Sequence, residues 1–371
     1  MLNIPAYRAA IADRFAKRQK TNGTHINNLM AKHGIDDANI AYEIAEHEWV
    51  RSYRQIALYQ QRFDAILDFY NNVQPTFAVR DSTRVALQQY STSAPVAFLA
   101  NAFVRHNRTD MKIFEPSAGN GLLTIAFQPE QVHVNEIDNT RLTHLKMDGY
   151  ANTTNFDSSI AANMQPYFKQ YDGIISNPPF GKMLDAIDKT YDDYLVKKLD
   201  HVMALLALEC MKDDGRAAII IGGWTDFKTD DYGGRSVSDR KYIMKQGNKT
   251  YKPNASIAEG EPFFNYLYNR YNVVDIINID SDKMYHRQGT TFPLRMILIA
   301  GRKKGASIAK APNYKEAPHL VNVVSDFEDL NYLKDTAHEQ ALEIGNGKYY
   351  DKTLVSNILA SAIPYLKEGI F

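Results

Sequence analysis

The chain has 371 residues, 43 basic and 43 acidic side chains, a formal net charge of zero and 44% hydrophobic residues. That length and apolar content suffice for one large α/β domain with appendages, or for two domains, and exclude bulk disorder. A single cysteine, Cys210, excludes a disulfide framework and a cysteine-based zinc site and fits a reducing, cytoplasmic compartment.

The first twenty residues lack the apolar core of a secretory signal, and no apolar run approaches the ~20 residues of a membrane span. Zero net charge argues against a packaging protein for nucleic acid. It leaves room for a local basic surface.

Residues 1 to 75 read as helical. From Ala41 to Tyr70, Tyr42, Ala45, Trp49, Tyr53, Ile56, Tyr59, Phe63, Ile66 and Phe69 recur at helical spacing. This predicts one helix whose apolar face packs on the rest of the chain. Residues 76 to 304 alternate short apolar runs with helical stretches. The runs are Met111–Pro116, Val132–Ile137, Asp172–Asn177, Ala217–Gly222, Val273–Ile279 and Arg295–Gly301. Helices are predicted over Tyr191–Met211 and Phe263–Arg270. Such alternation implies a doubly wound, mostly parallel sheet. The last two runs lack a connecting helix, so that edge pair is expected to be antiparallel. Residues 224 to 262 form a polar, aromatic insert. Within it, Arg235, Arg240, Lys241, Lys245, Lys249 and Lys252 face a single acid, Asp239. Residues 305 to 371 read as a short, mixed tail.

Two segments carry chemistry. In "IFEPSAGNGLLTIAF", Gly119 and Gly121 lie between a strand and a predicted helix, where glycine lets backbone approach a ligand. The third glycine of a dinucleotide fingerprint is absent, and Glu115 ends the strand. A carboxylate there repels pyrophosphate but suits a cation such as S-adenosylmethionine, with its ammonium and sulfonium groups. A plain strand–turn–helix is the bland alternative. Glu136 ends the next strand, about twenty residues on, where a carboxylate can accept from both ribose hydroxyls. Asp138 is a near neighbour. Asp157 can accept from an adenine amino group, with Phe156 beside the adenine face; a turn acid competes with this reading. The second segment is Asn177-Pro178-Pro179-Phe180. Two prolines lock two φ angles and remove two donors. They leave carbonyls and an aromatic ring at a set angle, a construction suited to gripping a flat ligand.

These segments resemble S-adenosylmethionine-dependent N6-adenine DNA methyltransferases of the class whose cofactor motifs precede the catalytic motif. The resemblance runs from about Gln89 to Gly301. "QYSTSAPVAFLA" is similar to the segment opening the family's cofactor pocket, with Ser93 where proline is usual. "FEPSAGNGLL" is similar to its cofactor loop, and "NPPF" to its catalytic motif. The resemblance implies a Rossmann-like class I methyltransferase fold with a seven-stranded sheet and an N-terminal helical extension. It implies that Thr92, Glu115, Pro116, Ser117, Ala118, Gly119, Gly121, Glu136, Ile137, Phe156, Asp157 and Asn177 line the cofactor site. It further implies that Asn177, Pro178, Pro179 and Phe180 grip a flipped adenine. No metal is expected, because the ten histidines show no paired ligand spacing. DNA is then the partner, held in part by the insert, with a specificity or restriction protein as a second partner. Alternatives are an RNA adenine methylase, a protein glutamine methylase, and a nucleic-acid-binding homologue without catalysis.

Overall fold

Polar caps and apolar spacing build the N-terminal layer. Helix α1 (Ile4–Ala16) starts where the Asn3 side chain accepts from the Ala6 amide. Helix α2 (Gly23–Lys32) opens with a reciprocal Asn22–His25 capping box. Helix α3 (Ala38–Gln55) opens where Asp37 accepts from the Asn39 amide. The computed structural model describes residues 3–76, 91–106, 108–181, 189–191, 193–229, 251–305 and 310–334. Gln89, Lys182, the basic stretch Arg235–Lys249 and the tail from 335 onward lie outside the described residues.

The single helix expected from Ala41 to Tyr70 is interrupted. After α3 the chain takes a π turn over Ile56–Gln60, Gln61 adopts a left-handed φ of 51°, and α4 (Phe63–Asp68) restarts the helix. The polar run Gln60-Gln61-Arg62 breaks the apolar face, and a π turn inserts residues into the helical register. Tyr59, expected on the packing face, is consequently 81% exposed, whereas Trp49, Tyr53, Phe63, Ile66 and Phe69 are buried.

Helix α5 (Ala94–Arg105) leads into the sheet. Its strands are β1 (Ile113–Glu115), β2 (Val132–Asn135), β3 (Asn152–Thr154), β4 (Tyr171–Ser176), β7 (Met211–Gly222), β8 (Tyr271–Ile279), β9 (Leu294–Arg302) and β10 (Val323–Val324). A separate antiparallel hairpin joins β5 (Lys189–Tyr191) and β6 (Tyr194–Val196). Helices α6 (Asn139–Met147), α7 (Ala161–Met164), α8 (Leu199–Glu209), α9 (Glu261–Arg270) and α10 (Ser281–Met284) lie between strands.

The sheet order is β10-β8-β9-β7-β4-β1-β2-β3. All neighbours are parallel except β9, which runs antiparallel to both β7 and β8. This is the class I methyltransferase arrangement, with the short β10 added as an eighth strand at the edge. The antiparallel partner expected at the last two runs is present. Alternation along β7 shows how the layers form: Ala218 and Ile220 join the apolar cluster under α1–α5, while Ala217, Ile219 and Ile221 join the cluster under α8 and α9.

Two predicted helices are shorter than expected. Only Leu199–Glu209 of Tyr191–Met211 is helical, because the aromatic and branched residues before it enter the β5–β6 hairpin. The helix expected after Gly121 is a single 3₁₀ turn, Leu122–Thr124. Pro129 follows too soon for a longer helix, and Leu122, Leu123, Ile125, Ala126 and Phe127 are all buried by the irregular segment instead.

Gly173 lies where β4 packs tightly against β1 and α5. A β-carbon there would stand 2.5 Å from Ile113 Cδ1 and 2.6 Å from Val104 Cγ1. Gly173→Ala is therefore expected to destabilise the fold by about 1–3 kcal/mol through overpacking, measured as a lowered denaturant midpoint at unchanged m-value.

Candidate functional site

The chain runs outward from β1 through β2 to β3, then returns to β4 on the other side of β1. The crossovers therefore diverge at the β1/β4 boundary, where a crevice opens at the carboxyl ends of the strands. Glu115 ends β1, and Asn177 follows β4 directly. The two chemistry-bearing segments are brought to one place by this topology.

The loop after β1 is tied down from below. The Ala118 amide donates to the Asn135 carbonyl at 3.0 Å, and the Gly121 amide to the Ala118 carbonyl at 2.8 Å. Both loop glycines have positive φ, 56° at Gly119 and 76° at Gly121. Their surroundings differ. A β-carbon on Gly119 would have nothing within 4 Å, whereas one on Gly121 would stand 2.9 Å from Arg54 Nη2 and 3.0 Å from Tyr150 Oη. Close approach at Gly121 thus serves a helix of this chain, and the room for a ligand is at Gly119.

Both Glu136 oxygens accept backbone N–H groups, from Gly119 at 2.7 Å and from Asp138 at 2.8 Å. Burial raises the Glu136 carboxyl, opposed by these N–H groups and by Arg141. Asn135, which motif reading does not single out, donates to the Pro116 and Phe156 carbonyls and accepts from the Phe156 amide. It clamps the loop to the segment after β3. Ile137 is 52% exposed beside it. Phe156 stacks on Tyr167 at 5.5 Å. The exposed Asp157 caps its own turn, with Oδ1 accepting from the Ser159 amide and hydroxyl, so part of its capacity is spent locally.

Asn177 donates from Nδ2 to Thr92 Oγ1 at 2.9 Å. The Thr92 hydroxyl therefore meets the Asn-Pro-Pro-Phe segment, whereas the resemblance directs it to the cofactor. Pro178 and Phe180 are buried, and Pro179 is half-buried. Phe180 stacks at 6.0 Å on Phe292, a ring 41% exposed in the loop before β9. Gly222 makes room for the pair, since a β-carbon there would lie 3.0 Å from Phe292 and 3.3 Å from Phe180. Nothing local in the sequence marks Phe292; only the antiparallel placement of β9 beside β7 brings it here. The insert after β7 leaves and returns through a Phe227–Ile257 bridge, with Tyr251 donating to Asp226 at 2.6 Å. Exposed Lys252 is the only one of its named basic residues within the described part.

Helix α3 supplies what motif reading misses most. Glu43 accepts from Asn120 Nδ2 at 2.7 Å and from Arg141 Nε at 3.3 Å, and Glu46 accepts from the Ser91 hydroxyl. Arg54 donates to Asp148 at 2.7 Å, to the Gly121 carbonyl at 3.3 Å and to Tyr150 Oη at 2.8 Å. Tyr150 and Thr124 share a 2.9 Å hydrogen bond, and Thr124 donates to Glu115 Oε2 at 3.1 Å. A directed chain thus runs from Arg54 to Glu115. Glu115 is nonetheless raised well above the usual carboxylate range, because burial outweighs the Thr124 hydrogen bond and the distant guanidinium. The signal available in the sequence is the set Glu43, Glu46, Glu48 and Arg54 interleaved with the apolar residues of this helix.

No protein-family model matches the chain. It is 28% identical over 166 residues to the type II methyltransferase M.AccI of Acinetobacter calcoaceticus, a match covering 40% of this chain and 30% of that protein. Solved structures with a similar trace include a Listeria monocytogenes protein described as a class I S-adenosylmethionine-dependent methyltransferase, at 14% identity and a TM-score of 0.40. That match covers 84% of this chain and 89% of that one. The M protein of the type I restriction enzyme EcoKI matches at 10% identity and a TM-score of 0.39, covering 81% of this chain and 67% of that one. At these scores the likeness adds nothing to what the strand order establishes.

The Arg54–Asp148 pair is buried, and Asp148 is also held by His47 at 3.0 Å and Arg51 at 3.2 Å. Arg54→Met removes one of these partners and the hydrogen bonds to Tyr150 and the Gly121 carbonyl, and is expected to cost about 1–3 kcal/mol in a urea titration near neutral pH. Burial alone would raise Asp148, but His47 and Arg54 outweigh it and hold the carboxyl below its usual range. Its stabilising contribution is present above the unfolded carboxylate range and is lost as pH falls through the lowered value. Arg54→Met is therefore expected to flatten the acid limb of the stability profile.

Proposed function

We propose that this chain is an S-adenosylmethionine-dependent methyltransferase that methylates the N6 amino group of adenine in DNA. The observation that carries the reading is the juxtaposition at the β1/β4 crevice of an Asn-Pro-Pro-Phe segment with an acidic, glycine-containing loop. The sequence likeness to a type II methyltransferase supports it over the part of the chain it covers.

The residues present fit the cofactor. Gly119 has open space where a side chain would stand, and Glu136 is held by two N–H groups with lone pairs remaining for ribose hydroxyls. Glu115 is a buried carboxyl whose ionised form lacks close positive charge, so a cationic ligand gains by approaching it. Ile137, Phe156 and Asp157 sit beyond β2 and β3 on the adenine side, and Pro116, Ser117, Ala118 and Gly121 form the loop itself. When bound, S-adenosylmethionine supplies an electrophilic sulfonium methyl group.

The chain's own task is to make a poor nucleophile better. The adenine amine delocalises its lone pair into the ring. Asn177 Oδ1 and the Pro178 carbonyl accept its two hydrogens and so favour a tetrahedral nitrogen. Pro178 and Pro179 hold those acceptors rigid in advance. Phe180, with Phe292 stacked beside it, receives the base face. As the N–C bond forms the S–C bond breaks, and the amine proton leaves to solvent after transfer. A base within a duplex reaches this crevice only by flipping, at a cost of a few kcal/mol. The insert from β7 emerges beside the crevice, and its basic stretch is the proposed phosphate contact. A specificity or restriction protein is the proposed further partner.

Methyl transfer from radiolabelled S-adenosylmethionine to unmethylated genomic DNA is expected to yield N6-methyladenine. Asn177→Ala is expected to lower it about a hundredfold or more. Transfer to RNA or to a protein amide alone would overturn the DNA assignment. Glu115→Gln is expected to weaken cofactor binding by calorimetry while stabilising the free protein at neutral pH. A carboxyl raised on folding contributes most below its unfolded range and less as pH rises through the raised value, and the glutamine removes that loss.

A further inference from the structure

We propose that Thr92 and Gln288 are positioning residues that hold the Asn177 amide through a hydrogen-bond relay running back to the N-terminal helices. The proposal rests on the reading of Asn177 as the group that grips the target amine.

The relay has four links. Tyr53 Oη donates to Gln74 Oε1 at 2.5 Å, and Gln74 Nε2 donates to Gln288 Oε1 at 2.7 Å. Gln288 Nε2 donates to the Thr92 carbonyl at 2.7 Å, and Asn177 Nδ2 donates to Thr92 Oγ1 at 2.9 Å. Tyr53, Gln74, Gln288 and Thr92 are all buried.

The Thr92 carbonyl sets the polarity of the first three links. A carbonyl can only accept, so Gln288 must present Nε2 to it and turn Oε1 towards Gln74. Gln74 must then present Nε2 and turn its own Oε1 towards Tyr53, which must donate. Burial raises the Tyr53 phenol well above its ordinary value, so it keeps the proton that this role needs. Reversing any member would oppose two donors or two acceptors in a dry interior, which costs more than a simple lost hydrogen bond. The relay thus anchors the backbone at Thr92, on a segment with no regular structure just before α5.

That anchor matters at Asn177. Its side chain has one donor end and one acceptor end. Engaging Nδ2 on Thr92 leaves Oδ1 as the end turned to the amine hydrogens. An amide turned over would meet them with its own N–H groups. The relay also makes catalysis depend on the N-terminal helices, because Tyr53 belongs to α3 and Gln74 directly follows a π turn, Phe69–Val73, at the end of α4.

The test compares Thr92→Val, Thr92→Ser and Gln288→Glu with wild type on genomic DNA, measuring kcat, KM, cofactor Kd and thermal melting, with Asn177→Ala as control. Thr92→Val is expected to lower kcat about tenfold, the worth of roughly one buried hydrogen bond. Cofactor Kd should stay within about twofold, since the lost contact is to Asn177. Thr92→Ser, which keeps the hydroxyl, should restore kcat. Gln288→Glu keeps the shape but sets an acceptor against the Thr92 carbonyl, and should also lower kcat. The proposal is overturned by wild-type kcat in Thr92→Val, by an equal loss in Thr92→Ser, or by a loss confined to cofactor Kd. Failure of both Thr92→Val and Gln288→Glu to fold would make the relay structural and overturn it too. Wild-type kcat in Asn177→Ala, or no activity of the wild type on DNA, defeats the underlying reading. A loss in Asn177→Ala beside a normal Thr92→Val defeats the relay alone.

Discussion

Every candidate group in this protein hangs on one constraint: β1 and β4 are hydrogen-bonded neighbours whose crossovers leave in opposite directions. Parallel strands need long crossovers, and those on the two sides of this boundary cannot cover the strand ends between them. A crevice is left over Glu115 and Asn177. The strands flanking it are mostly apolar and buried, so most of their side chains are occupied in packing. The polar work at the opening falls to residues at the strand ends or one position past them. There side chains such as Glu115, Glu136 and Asn177 meet the opening.

Charge in the crevice is arranged asymmetrically. The β1 side gathers carboxylates, with Glu115 and Glu136 both raised mainly by burial. Their partners are hydroxyl and backbone N–H groups, together with guanidinium groups one layer away. The β4 side is nearly neutral, built from prolines, an amide and stacked rings. A cation is favoured on one side and a flat, uncharged group on the other, which is the division of labour the proposed reaction requires.

The N-terminal helices belong to the same hydrophobic cluster as the strand face beneath them. Their polar contribution is as direct as their packing. Arg54 reaches the Gly121 carbonyl, Glu43 reaches Asn120, and Tyr53 reaches Gln74. The loop after β1 is too short for its own helix, so its conformation is stabilised from outside by α3. Buried charge at Arg54 and Asp148 costs desolvation, and this is offset only while the helices stay docked. The loop after β1 and the helices are in that sense one unit.

Much of this was legible in residue pattern. Short apolar runs were enough for β1, β2, β4, β7, β8 and β9, because burial on both sides leaves little choice of residue type, whereas β3, β5, β6 and β10, of two or three residues each, did not stand out. The antiparallel pair near the end could be inferred from a connection without a helix. Asn177-Pro178-Pro179-Phe180 and the Glu115–Gly121 loop were readable because proline and glycine restrict or free the backbone locally, whatever surrounds them. The break at Gln61, the hairpin ahead of α8 and the 3₁₀ turn after Gly121 were not, because helical spacing persists in sequence even where packing ends the helix. Phe292, Asn135, Arg54 and Gln288 were illegible for a stronger reason. Each acts on a residue far away in the chain, and no local pattern encodes which distant atom a buried donor will meet. The sequence by itself determined the six longer strand runs and marked the two candidate segments, through burial and backbone restriction. Only the tertiary structure decided that Thr92 faces Asn177 and that Gly121 faces Arg54, because hydrogen-bond partners across the core are chosen by how the layers pack.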